Sequence, residues 1–580
     1  MSLLRKKHGR ISISGSMDPD EIFLDSENLP GFDTDQFEGR IEKPISKKTL
    51  IGLGLFFSLI LIIFVGRIWN LQVANGEYYN ERSVKNSLRY NLIFADRGNI
   101  YDKNNHPLAW NNPRKHEDEF STREYETDLG LATLFGYVAY PKKDSAGFYF
   151  EEEISGVDGL ESIYNDYLAG QNGLEIVEIN ALNEVVDDST TASPENGEDL
   201  FLTIDYEAQK AFHDSIKKIV DENGFEGGGG VIIDVKNGDL LSLVSYPEYN
   251  SNVLSDGDDD DLINSYINDN RNPFMNRITE GLYTPGSIIK PFLALAALEE
   301  GVIGPNEEIL STKRMVVPNP YNPDLPSIFT DWKAHGLVDV RRALAMSSNV
   351  FFYQIGGGYD ALSPSEPGYD QQSHFNNQEG LGISRIEEYL RKFGFGQKVD
   401  LEGFNNQDGT IPNPDWKRET FDDDWRLGDT YFTSIGQYGF QVTPIQVARA
   451  VSAIANGGEV IEPRIVKNFK DSGDEKRKLD IDQENFDIVR AGMRDAVEYG
   501  TAKGLYYEDL NIAAKTGTAE LGLSKEKVNS WSTGFFPYEN PKYAFVIFLE
   551  KGDRKNLIGG VAAARGFFDW ARHNKPELLK

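Results

Sequence analysis

The 580-residue sequence predicts an α/β (α+β) domain that follows a strand-rich segment and a single membrane helix. An uncharged run near the N-terminus indicates the membrane helix. Short β-like runs between turn clusters indicate the strand-rich segment. A mostly helical stretch with strands at both of its ends indicates the domain, because such an order assembles one sheet from both ends of the domain.

The membrane helix is predicted over residues 49–67. The run TLIGLGLFFSLILIIFVG carries no charge and is long enough to cross a hydrocarbon core of about 30 Å. An uncleaved anchor is favoured over a cleaved signal peptide, because the run begins only at Thr49 and no small-x-small cleavage site follows it. Basic residues before the run favour a cytoplasmic N-terminus, so residues 1–48 are predicted to be a cytoplasmic tail.

Residues 68–225 are predicted to form an elongated, strand-rich pedestal. The stretch ADRGNIYDKNNHPLA, Ala95–Ala109, alternates β-like runs with turn residues. One helical piece is predicted over Gly159–Gly173, where apolar residues recur on one face and Gly170 stops the helix.

Residues 226–580 are predicted to form the α/β domain. After Gly227–Gly230 the sequence indicates a strand, an Asn-Gly turn and a second strand, which is a hairpin rather than a phosphate loop because no GKS or GKT follows. Three closing strands are expected at Ala513–Ala519, Trp531–Phe536 and Tyr543–Glu550.

The middle of this domain, from Asn272 to about Gly458, is predicted to be mostly helical. The acidic stretch Ser255–Asp261 lacks the spaced ligands and the terminal glutamate of a calcium loop, so it is predicted to be a solvated loop.

Composition excludes several classes of function. The net charge is −33 and no basic stripe occurs, so binding to nucleic acid is not expected. The chain has no cysteine, which excludes disulfides, thiolate zinc sites and a cysteine nucleophile. No HExxH and no GxSxG motif occurs, which argues against a zinc hydrolase and an α/β-hydrolase.

Serine paired with lysine remains, and Ser-x-x-Lys occurs three times, at Ser215, Ser287 and Ser524. Ser215 falls inside a helical pattern, where no free backbone amides could stabilise an oxyanion, and Ser524 falls in a charged loop. Ser287 instead follows a Pro-Gly turn at the start of an apolar helical pattern. Context therefore selects Ser287 as the candidate nucleophile.

The surroundings of Ser287 are suited to its activation. The helix is predicted to begin at Ser287, whose free amides and dipole favour developing negative charge. Lys290 lies one turn further on the same face, so its amine is expected to reach the Ser287 hydroxyl. A lysine serves as a base near neutral pH only when burial or a nearby cation favours its neutral form.

Two later motifs complete a constellation. Ser347–Ser348–Asn349 interrupts two helical apolar runs and offers a hydroxyl and a carboxamide. Lys515–Thr516–Gly517–Thr518 lies on a predicted strand, where Gly517 is expected to let a substrate backbone approach closely. Lys515 could hold an anion and disfavour charge on Lys290.

The motifs SxxK, SxN and KTG in this order resemble the signature of penicillin-binding proteins and serine β-lactamases. The stretches ADRGNIYDKNNHPLA, GLESIYNDYLAGQNG and LFLTIDYEAQ look like the pedestal of class B penicillin-binding proteins. GQYGFQVTPIQVARAVSAIANGG and WSTGFFPYENPKYAFVIFLEKG look like their catalytic domain. NPFMNRITEGLYTPGSIIKPF is more similar to the elongation-type enzymes than to the septal ones.

This resemblance implies a β-lactamase/D,D-peptidase-like fold with an antiparallel sheet flanked by helices, and the activity of a penicillin-sensitive peptidoglycan D,D-transpeptidase. Ser287 would form the acyl-enzyme, with Lys290 as its base. Ser347 would relay the proton, and Asn349 would orient Lys290 and the substrate amide. Lys515, Thr516 and Thr518 would bind the terminal carboxylate, and the backbone amides of Ser287 and Thr518 would form the oxyanion hole.

The resemblance also bears on partners and cofactors. It implies stem peptides as substrates, β-lactams as inhibitors, and a membrane glycosyltransferase and the cell-wall elongation complex as partners of an enzyme anchored in the cytoplasmic membrane with its catalytic domain outside. Some elongation-type members carry a metal site, which Asp331 and His335 without a cysteine support only weakly. No metal and no cofactor is therefore predicted.

Three alternatives stay open from the residues. A septal transpeptidase would share every motif. A β-lactamase would need fast deacylation by an activated water, and the anchor and the pedestal argue against it. A non-catalytic β-lactam sensor or scaffold would keep the pocket, but the complete set of motif residues argues against that reading.

Overall fold

A computed structural model describes residues 46–79, 88–114, 119–145, 147–179, 185–319, 322, 324–359, 379–401, 403–467, 476–522 and 525–580. Most of the predicted tail over residues 1–48, and Ser524 of the third Ser-x-x-Lys, lie outside these residues. The chain divides into two compact units, Met1–Leu88 and Arg89–Lys580.

The first unit contains helix α1, Lys47–Trp69. The helix begins after Ser46, whose hydroxyl accepts a hydrogen bond from the backbone amide of Thr49 at 3.1 Å. It continues through a π-helical turn, Asn70–Ala74, so that the whole helix spans 28 residues. It is long and apolar enough to cross a membrane, and the predicted span of residues 49–67 lies within it.

The segment from residue 88 to residue 201 is rich in short strands, as its turn residues predict. Its strands are β1 (Leu88–Ile93), β2 (Ile100–Tyr101), β3 (Pro107–Asn111), β4 (Arg123–Tyr125), β5 (Val138–Ala139), β6 (Lys142–Lys143), β7 (Tyr149–Glu151), β8 (Ser155–Gly156), β9 (Gly173–Ile179), β10 (Val185–Ala192) and β11 (Leu200–Phe201). Its helices are α2 (Ala132–Phe135), α3 (Gly159–Ile163) and α4 (Asn165–Leu168).

These strands form a three-stranded sheet in the order β1-β9-β10, a four-stranded sheet in the order β11-β2-β3-β4, and two two-stranded sheets, β5-β8 and β6-β7. The predicted helical piece over Gly159–Gly173 is two short helices, α3 and α4, which end before Gly170 at a φ of +71°. Glycine adopts this left-handed conformation without the steric cost of a side chain.

The helices of the C-terminal region are α5 (Tyr206–Asn223), α6 (Ser251–Asp256), α7 (Asp260–Ile267), α8 (Lys290–Glu299), α9 (Val340–Met346), α10 (Asn349–Gly357), α11 (Gly382–Lys392), α12 (Pro414–Phe421), α13 (Leu427–Thr433), α14 (Pro444–Ala455), α15 (Gln483–Glu498) and α16 (Gly560–Asn574). Its strands are β12 (Gly227–Asp234), β13 (Leu240–Tyr246), β14 (Ile309–Ser311), β15 (Arg314–Val317), β16 (Ser327–Thr330), β17 (Gly336–Val338), β18 (Glu459–Val460), β19 (Arg477–Lys478), β20 (Ala513–Leu521), β21 (Lys527–Phe536) and β22 (Tyr543–Asp553).

The central sheet has five antiparallel strands in the order β13-β12-β22-β21-β20. It joins the first hairpin of the region to the last three strands, so the prediction of one sheet assembled from both ends is confirmed. The four-glycine run lies inside β12. A Cβ at Gly230 would lie 2.5 Å from the Phe212 ring, so glycine allows α5 to pack closely on the sheet.

Helices cover both faces of this sheet because successive side chains of a strand point to opposite faces. Ile232 packs in one core with α5 and α16, whereas its neighbours Val231 and Ile233 pack in the other core with α8 and α14. Helix α8 is buried over nearly its whole length. The residues at its start are therefore held in the protein interior.

Two expectations about the middle of the chain are wrong. The stretch from Asn272 to Gly458 also contains strands β14 to β17, whose lengths of three or four residues are too short for a periodic signal. The acidic stretch Ser255–Asp261 is not one loop, because it spans the end of α6 and the start of α7. Asp259 caps α7, where carboxylates are stabilised by the free amides of the first turn.

Candidate active site

Ser287 lies in a 3₁₀ turn, Gly286–Ile289, directly before α8. The predicted helix start at Ser287 is thus wrong by three residues for the α-helix, which begins at Lys290. Gly286 has a φ of +59°, and its amide donates to the Gly436 carbonyl at 3.0 Å. This left-handed glycine turns the chain so that a partly exposed Ser287 precedes a buried helix.

The buried amine of Lys290 is held by the second motif. Its Nζ donates to the Ser347 carbonyl at 2.8 Å and to Asn349 Oδ1 at 2.7 Å, and it lies 3.4 Å from Ser347 Oγ. The expected contact between this amine and the Ser287 hydroxyl is not among the hydrogen bonds of the described residues. In the folded chain the Lys290 amine is therefore held by Ser347 and Asn349.

The second motif lies between two helices, as its interruption of two apolar runs predicts. Ser347 ends α9 with a left-handed φ of +55°, and Ser348 caps α10 by accepting from the Phe351 amide at 3.2 Å. The reversal of the chain at this point directs the Ser347 carbonyl and the Asn349 carboxamide to the same amine.

Lys515 lies on β20, as predicted, and is fully buried. Its Nζ donates to Ser347 Oγ at 2.8 Å and to the Thr516 carbonyl at 2.8 Å. The Ser347 hydroxyl therefore lies between two lysines. The first and the last of the three motifs are about 230 residues apart along the chain, and the structure brings all three into one site.

Burial controls the ionisation of both lysines. Burial lowers the pKa of Lys290 to about 7, although the negative charge of Asp331 opposes the shift. Burial, and after it the positive charge of Lys290, holds the pKa of Lys515 well below its usual value. A neutral amine is thus accessible at physiological pH, as a lysine base requires.

The remaining residues of the third motif have different surroundings. Thr516 Oγ1 lies 2.7 Å from Thr501 Oγ1, and the Thr518 side chain is exposed. A Cβ at Gly517 would lie 2.9 Å from the Pro285 carbonyl oxygen and 2.8 Å from Ile288 Cγ2. The absence of a side chain at Gly517 therefore allows close packing against the Ser287 turn, a role that the sequence did not indicate.

Ser215, the serine of the first Ser-x-x-Lys, lies outside this site. It lies within α5, and its hydroxyl donates to the Ala211 carbonyl at 2.8 Å, as serines inside helices commonly do. The interpretation of Ser215 as a helix residue without catalytic surroundings agrees with this geometry.

Two neighbours of the motifs were missed by sequence reasoning. Thr501 contacts Thr516, and Asp331 accepts hydrogen bonds from the second motif. The sequence suggests Asp331 only as a metal ligand. Thr501 lies 15 residues from Thr516, and Asp331 lies 18 residues from Asn349, so no local pattern could have identified either contact.

Asp331 and His335 are the two candidate metal ligands that the sequence offers. Both oxygens of Asp331 accept hydrogen bonds, and His335 Nε2 lies 3.6 Å from the nearer one. No third histidine, cysteine, aspartate or glutamate joins them among the residues that the structure describes. Within the described residues, the pair therefore lacks the three or four protein ligands of a zinc site.

Comparisons with known proteins agree with this geometry. The family model "Penicillin binding protein transpeptidase domain" matches residues 228–568, and the model "Penicillin-binding Protein dimerisation domain" matches residues 118–202. The chain is 29% identical over 463 residues to the peptidoglycan D,D-transpeptidase MrdA of Haemophilus influenzae. This alignment covers 74% of the chain and 66% of that protein.

Solved structures show the same fold. The crystal structure of Pseudomonas aeruginosa PBP2 has a TM-score of 0.67 and 27% identity, and the match covers 85% of this chain and 98% of that one. PBP2 of Helicobacter pylori, in a complex with MreC, has a TM-score of 0.65 and 24% identity, with coverage of 84% and 99%.

The transpeptidase model covers more than half of the chain and includes every residue of the three motifs. Within that range the motifs meet around Lys290, with Ser287 on the turn before it. The chain therefore belongs to the penicillin-binding protein transpeptidase family.

Proposed function

We propose that this protein is a peptidoglycan D,D-transpeptidase that cross-links stem peptides through an acyl-enzyme on Ser287. The observation that carries the proposal is that Ser347 and Asn349 contact the buried amine of Lys290, while the amine of Lys515 contacts the same Ser347 hydroxyl. The names of the relatives support the same activity.

Acylation begins with the neutral form of Lys290. A neutral amine has two N–H groups, which the Ser347 carbonyl and Asn349 Oδ1 occupy, and its lone pair stays free to accept the Ser287 proton. Ser287 Oγ then attacks the carbonyl carbon of the penultimate D-alanine. The resulting oxyanion would be bound by the backbone amides of Ser287 and Thr518, and such a donor is typically worth roughly 10²–10³ in rate.

Collapse of this intermediate breaks the bond to the terminal D-alanine, whose nitrogen must gain a proton. Ser347 Oγ lies between Lys290 and Lys515 and is placed to pass that proton on. The amine of a neighbouring stem peptide then attacks the ester carbonyl, and Ser287 regains its proton from the incoming amine. The cross-link forms and the free enzyme is restored.

The terminal carboxylate of the donor peptide would bind near Lys515, Thr516 and Thr518. An anion beside Lys515 favours the charged form of its amine. It would therefore raise the pKa of Lys515, which burial and the charge of Lys290 lower. A β-lactam carries the same carboxylate beside its reactive carbonyl, so it would acylate Ser287 by the same route.

The assignment to cell elongation rather than division is supported by relatives and solved structures named MrdA and PBP2, which belong to elongation-type enzymes. A partnership with the elongation complex is supported by the H. pylori PBP2 structure, which was solved with MreC. A glycosyltransferase partner is supported by a similar solved structure of a peptidoglycan synthase complex that coordinates polymerization and crosslinking. A septal role is not favoured.

We further infer the following division of the chain: a cytoplasmic tail over residues 1–48, a membrane helix over 49–67, a pedestal over 68–225 and a transpeptidase domain over 226–580. The apolar helix α1 supports an anchor in the cytoplasmic membrane with the catalytic domain outside. A cysteine introduced at the exposed Lys236 should react with an impermeant maleimide on intact spheroplasts, because the chain has no other cysteine. Protection until lysis would contradict this orientation.

The nucleophile is tested by mass spectrometry of the full chain in detergent after incubation with benzylpenicillin. The wild type should gain one penicilloyl adduct, on the peptide that contains Ser287, and the Ser287→Ala variant should gain none. The control is Ser215→Ala, which removes the serine of another Ser-x-x-Lys and should label like the wild type. An adduct on any other residue would contradict the proposal.

The rate of deacylation separates the transpeptidase from a β-lactamase. One stoichiometric acylation by a chromogenic cephalosporin supports the proposal, and rapid catalytic turnover would overturn it. Full rescue of cell shape by Ser287→Ala would instead indicate a scaffold or sensor in which acylation is dispensable.

A further inference from the structure

A buried carboxylate lies behind the second motif. Asp331 directly follows β16 and is 5% exposed. Its Oδ2 accepts hydrogen bonds from the Asn349 amide at 2.7 Å, from the Val350 amide at 3.0 Å and from Ser348 Oγ at 3.0 Å. One oxygen thus binds three consecutive residues at the start of α10.

The same segment also holds the Asn349 side chain. The carbonyl of Thr330 accepts from Asn349 Nδ2 at 3.4 Å, while Asn349 Oδ1 accepts from Lys290 Nζ at 2.7 Å. The Asp331 carboxylate is itself fixed, because its Oδ1 accepts from the Trp332 amide at 2.8 Å. A continuous chain of contacts therefore runs from Asp331 through Asn349 to the amine of Lys290.

A second serine completes the cluster. Ser311 is fully buried on β14, and its Oγ lies 2.7 Å from Ser348 Oγ and 3.5 Å from Asp331 Oδ2. The side-chain contacts of Ser311 and Asp331 join this cluster to the second motif. Ser311, Asp331 and Ser348 take no part in the proposed acylation.

We propose that Asp331 is a positioning residue of the transpeptidase reaction, which holds Ser347–Asn349 in the conformation that binds Lys290. The inference rests on the proposed function of the same site. Asp331 touches no reacting atom and acts through Asn349 and Ser347.

The physical reason lies in the backbone of Ser347. A serine at a φ of +55° is in a left-handed conformation that costs about 1–3 kcal/mol and persists only where the surroundings hold it. Hydrogen bonds from backbone amides to a carboxylate at a helix N-terminus are among the strong ones. Asp331 accepts such hydrogen bonds from the amides that follow Ser347, so it stabilises the reversal of the chain between α9 and α10.

The charge of Asp331 also acts on Lys290. Three other titratable groups lie near this pair: Lys515 beside Lys290 through Ser347 Oγ, His335 beside Asp331, and Tyr353, whose pKa is raised by burial and then by the charge of Asp331. The carboxylate opposes the fall in the pKa of Lys290 that burial causes. Loss of this charge would therefore lower the pKa of Lys290 further, and the base form would populate at a lower pH.

The test is the second-order rate constant of acylation by fluorescent penicillin, measured from acid to alkaline pH on the full chain. Asp331→Asn keeps the shape of the side chain and removes its charge. It also replaces one carboxylate oxygen, which accepts hydrogen bonds, by an amide NH₂ group, which donates them. The plateau rate should fall on the order of tenfold to a hundredfold, and the midpoint of the pH profile should move to lower pH. If Asp331 only stabilises the fold, the Asp331→Asn variant should have a lower melting temperature and an unchanged midpoint of the pH profile. That result would overturn the proposal.

Ser348→Ala serves as the second variant if Asp331→Asn does not fold. It removes the hydrogen bond to Asp331 and the cap of α10 but keeps the carboxylate, so the plateau rate should fall while the midpoint stays in place. A plateau rate within about twofold of the wild type would overturn the proposal.

The matched control is Asp339→Ala. Asp339 caps the neighbouring helix α9 by accepting from the Arg342 amide at 2.8 Å, and it makes no hydrogen bond to the second motif. Loss of this cap should lower the melting temperature and leave both midpoint and plateau unchanged. If wild-type protein were not acylated at Ser287, the proposed function would fail, whereas an effect confined to folding in the variants would refute only the role of Asp331.

Discussion

At the scale of single residues, the chemistry of the site depends on the ionisation of two neighbouring lysines, Lys290 and Lys515. Both amines are buried, and both contact the Ser347 hydroxyl. A buried cluster cannot hold two ammonium charges without a large cost, so at least one amine is neutral in the empty site. The sequence allowed either burial or a second lysine to lower the pKa of Lys290, and in the structure burial lowers it.

This ionisation predicts the pH dependence of acylation. Burial lowers the pKa of Lys290 to about 7, so the amine loses its proton as the pH rises through that value. The acylation rate constant should therefore increase between about pH 6 and pH 8 and then level off. Stopped-flow measurement with a chromogenic β-lactam, with the melting temperature followed over the same range, checks this. A rate that rises up to about pH 10 would mean a lysine of ordinary pKa.

At the scale of elements, the site is a junction between strand β20 and the 3₁₀ turn that carries Ser287. Gly517 lies at the contact, facing Pro285 and Ile288, and Trp531 on the next strand lies beneath it. The Trp531 indole donates to the Thr284 carbonyl at 3.1 Å, which fixes the start of the turn from the sheet side. The position of the nucleophile relative to Lys515 is therefore set by packing between two elements.

A methyl group at Gly517 should disturb this junction. In Gly517→Ala the new Cβ would lie 2.9 Å from a backbone oxygen of the Ser287 turn, so the turn or the strand has to move. We expect a loss of about 1–3 kcal/mol in the free energy of unfolding and a fall of roughly tenfold or more in acylation rate. Urea denaturation and penicillin labelling measure the two effects.

Gly304→Ala is the control for this substitution. A Cβ at Gly304 meets only ordinary contacts, at 3.5 Å from the Glu307 carboxylate and 3.6 Å from its Cβ. Neither stability nor acylation should change appreciably. Equal acylation rates in the two variants would show that the packing at Gly517 does not position Ser287.

At the scale of the whole molecule, the strand-rich segment contains a buried ion cluster. The carboxylate of Glu161 is fully buried between the guanidinium groups of Arg97 and Arg123. Burial alone would raise the pKa of Glu161, but Arg123 and Arg97 hold it below its usual value. Arg97 also donates to the Ile154 carbonyl, and Arg123 to the Gly98 carbonyl, so three stretches of the segment meet in this cluster.

Neutralising the carboxylate should destabilise the segment strongly. Glu161→Gln leaves two buried guanidinium groups without a counter-charge, for which the expected cost is about 3–5 kcal/mol in the free energy of unfolding. The control, Glu151→Gln, breaks the exposed pair of Lys142 and Glu151 at 3.0 Å and should cost less than about 1 kcal/mol. Similar urea midpoints for both variants would contradict a stabilising role for the buried cluster.

The sequence was informative wherever the chemistry is local. The uncharged run predicts α1, the turn residues predict the short strands, and the Pro-Gly turn before Ser287 singles it out from Ser215. The order of SxxK, SxN and KTG identifies the family and its candidate catalytic residues without any coordinates. Each of these signals depends only on neighbouring residues or on the order of motifs along the chain.

What only the tertiary structure decided is how these residues meet. It places the Lys290 amine on Ser347 and Asn349, directs Gly517 at the Ser287 turn, and sets the carboxylate of Asp331 behind the second motif. The sequence by itself determined the chemical groups and their order, because motifs are local. Their contacts, burial and ionisation depend on residues distant in sequence, which only the folded chain brings together.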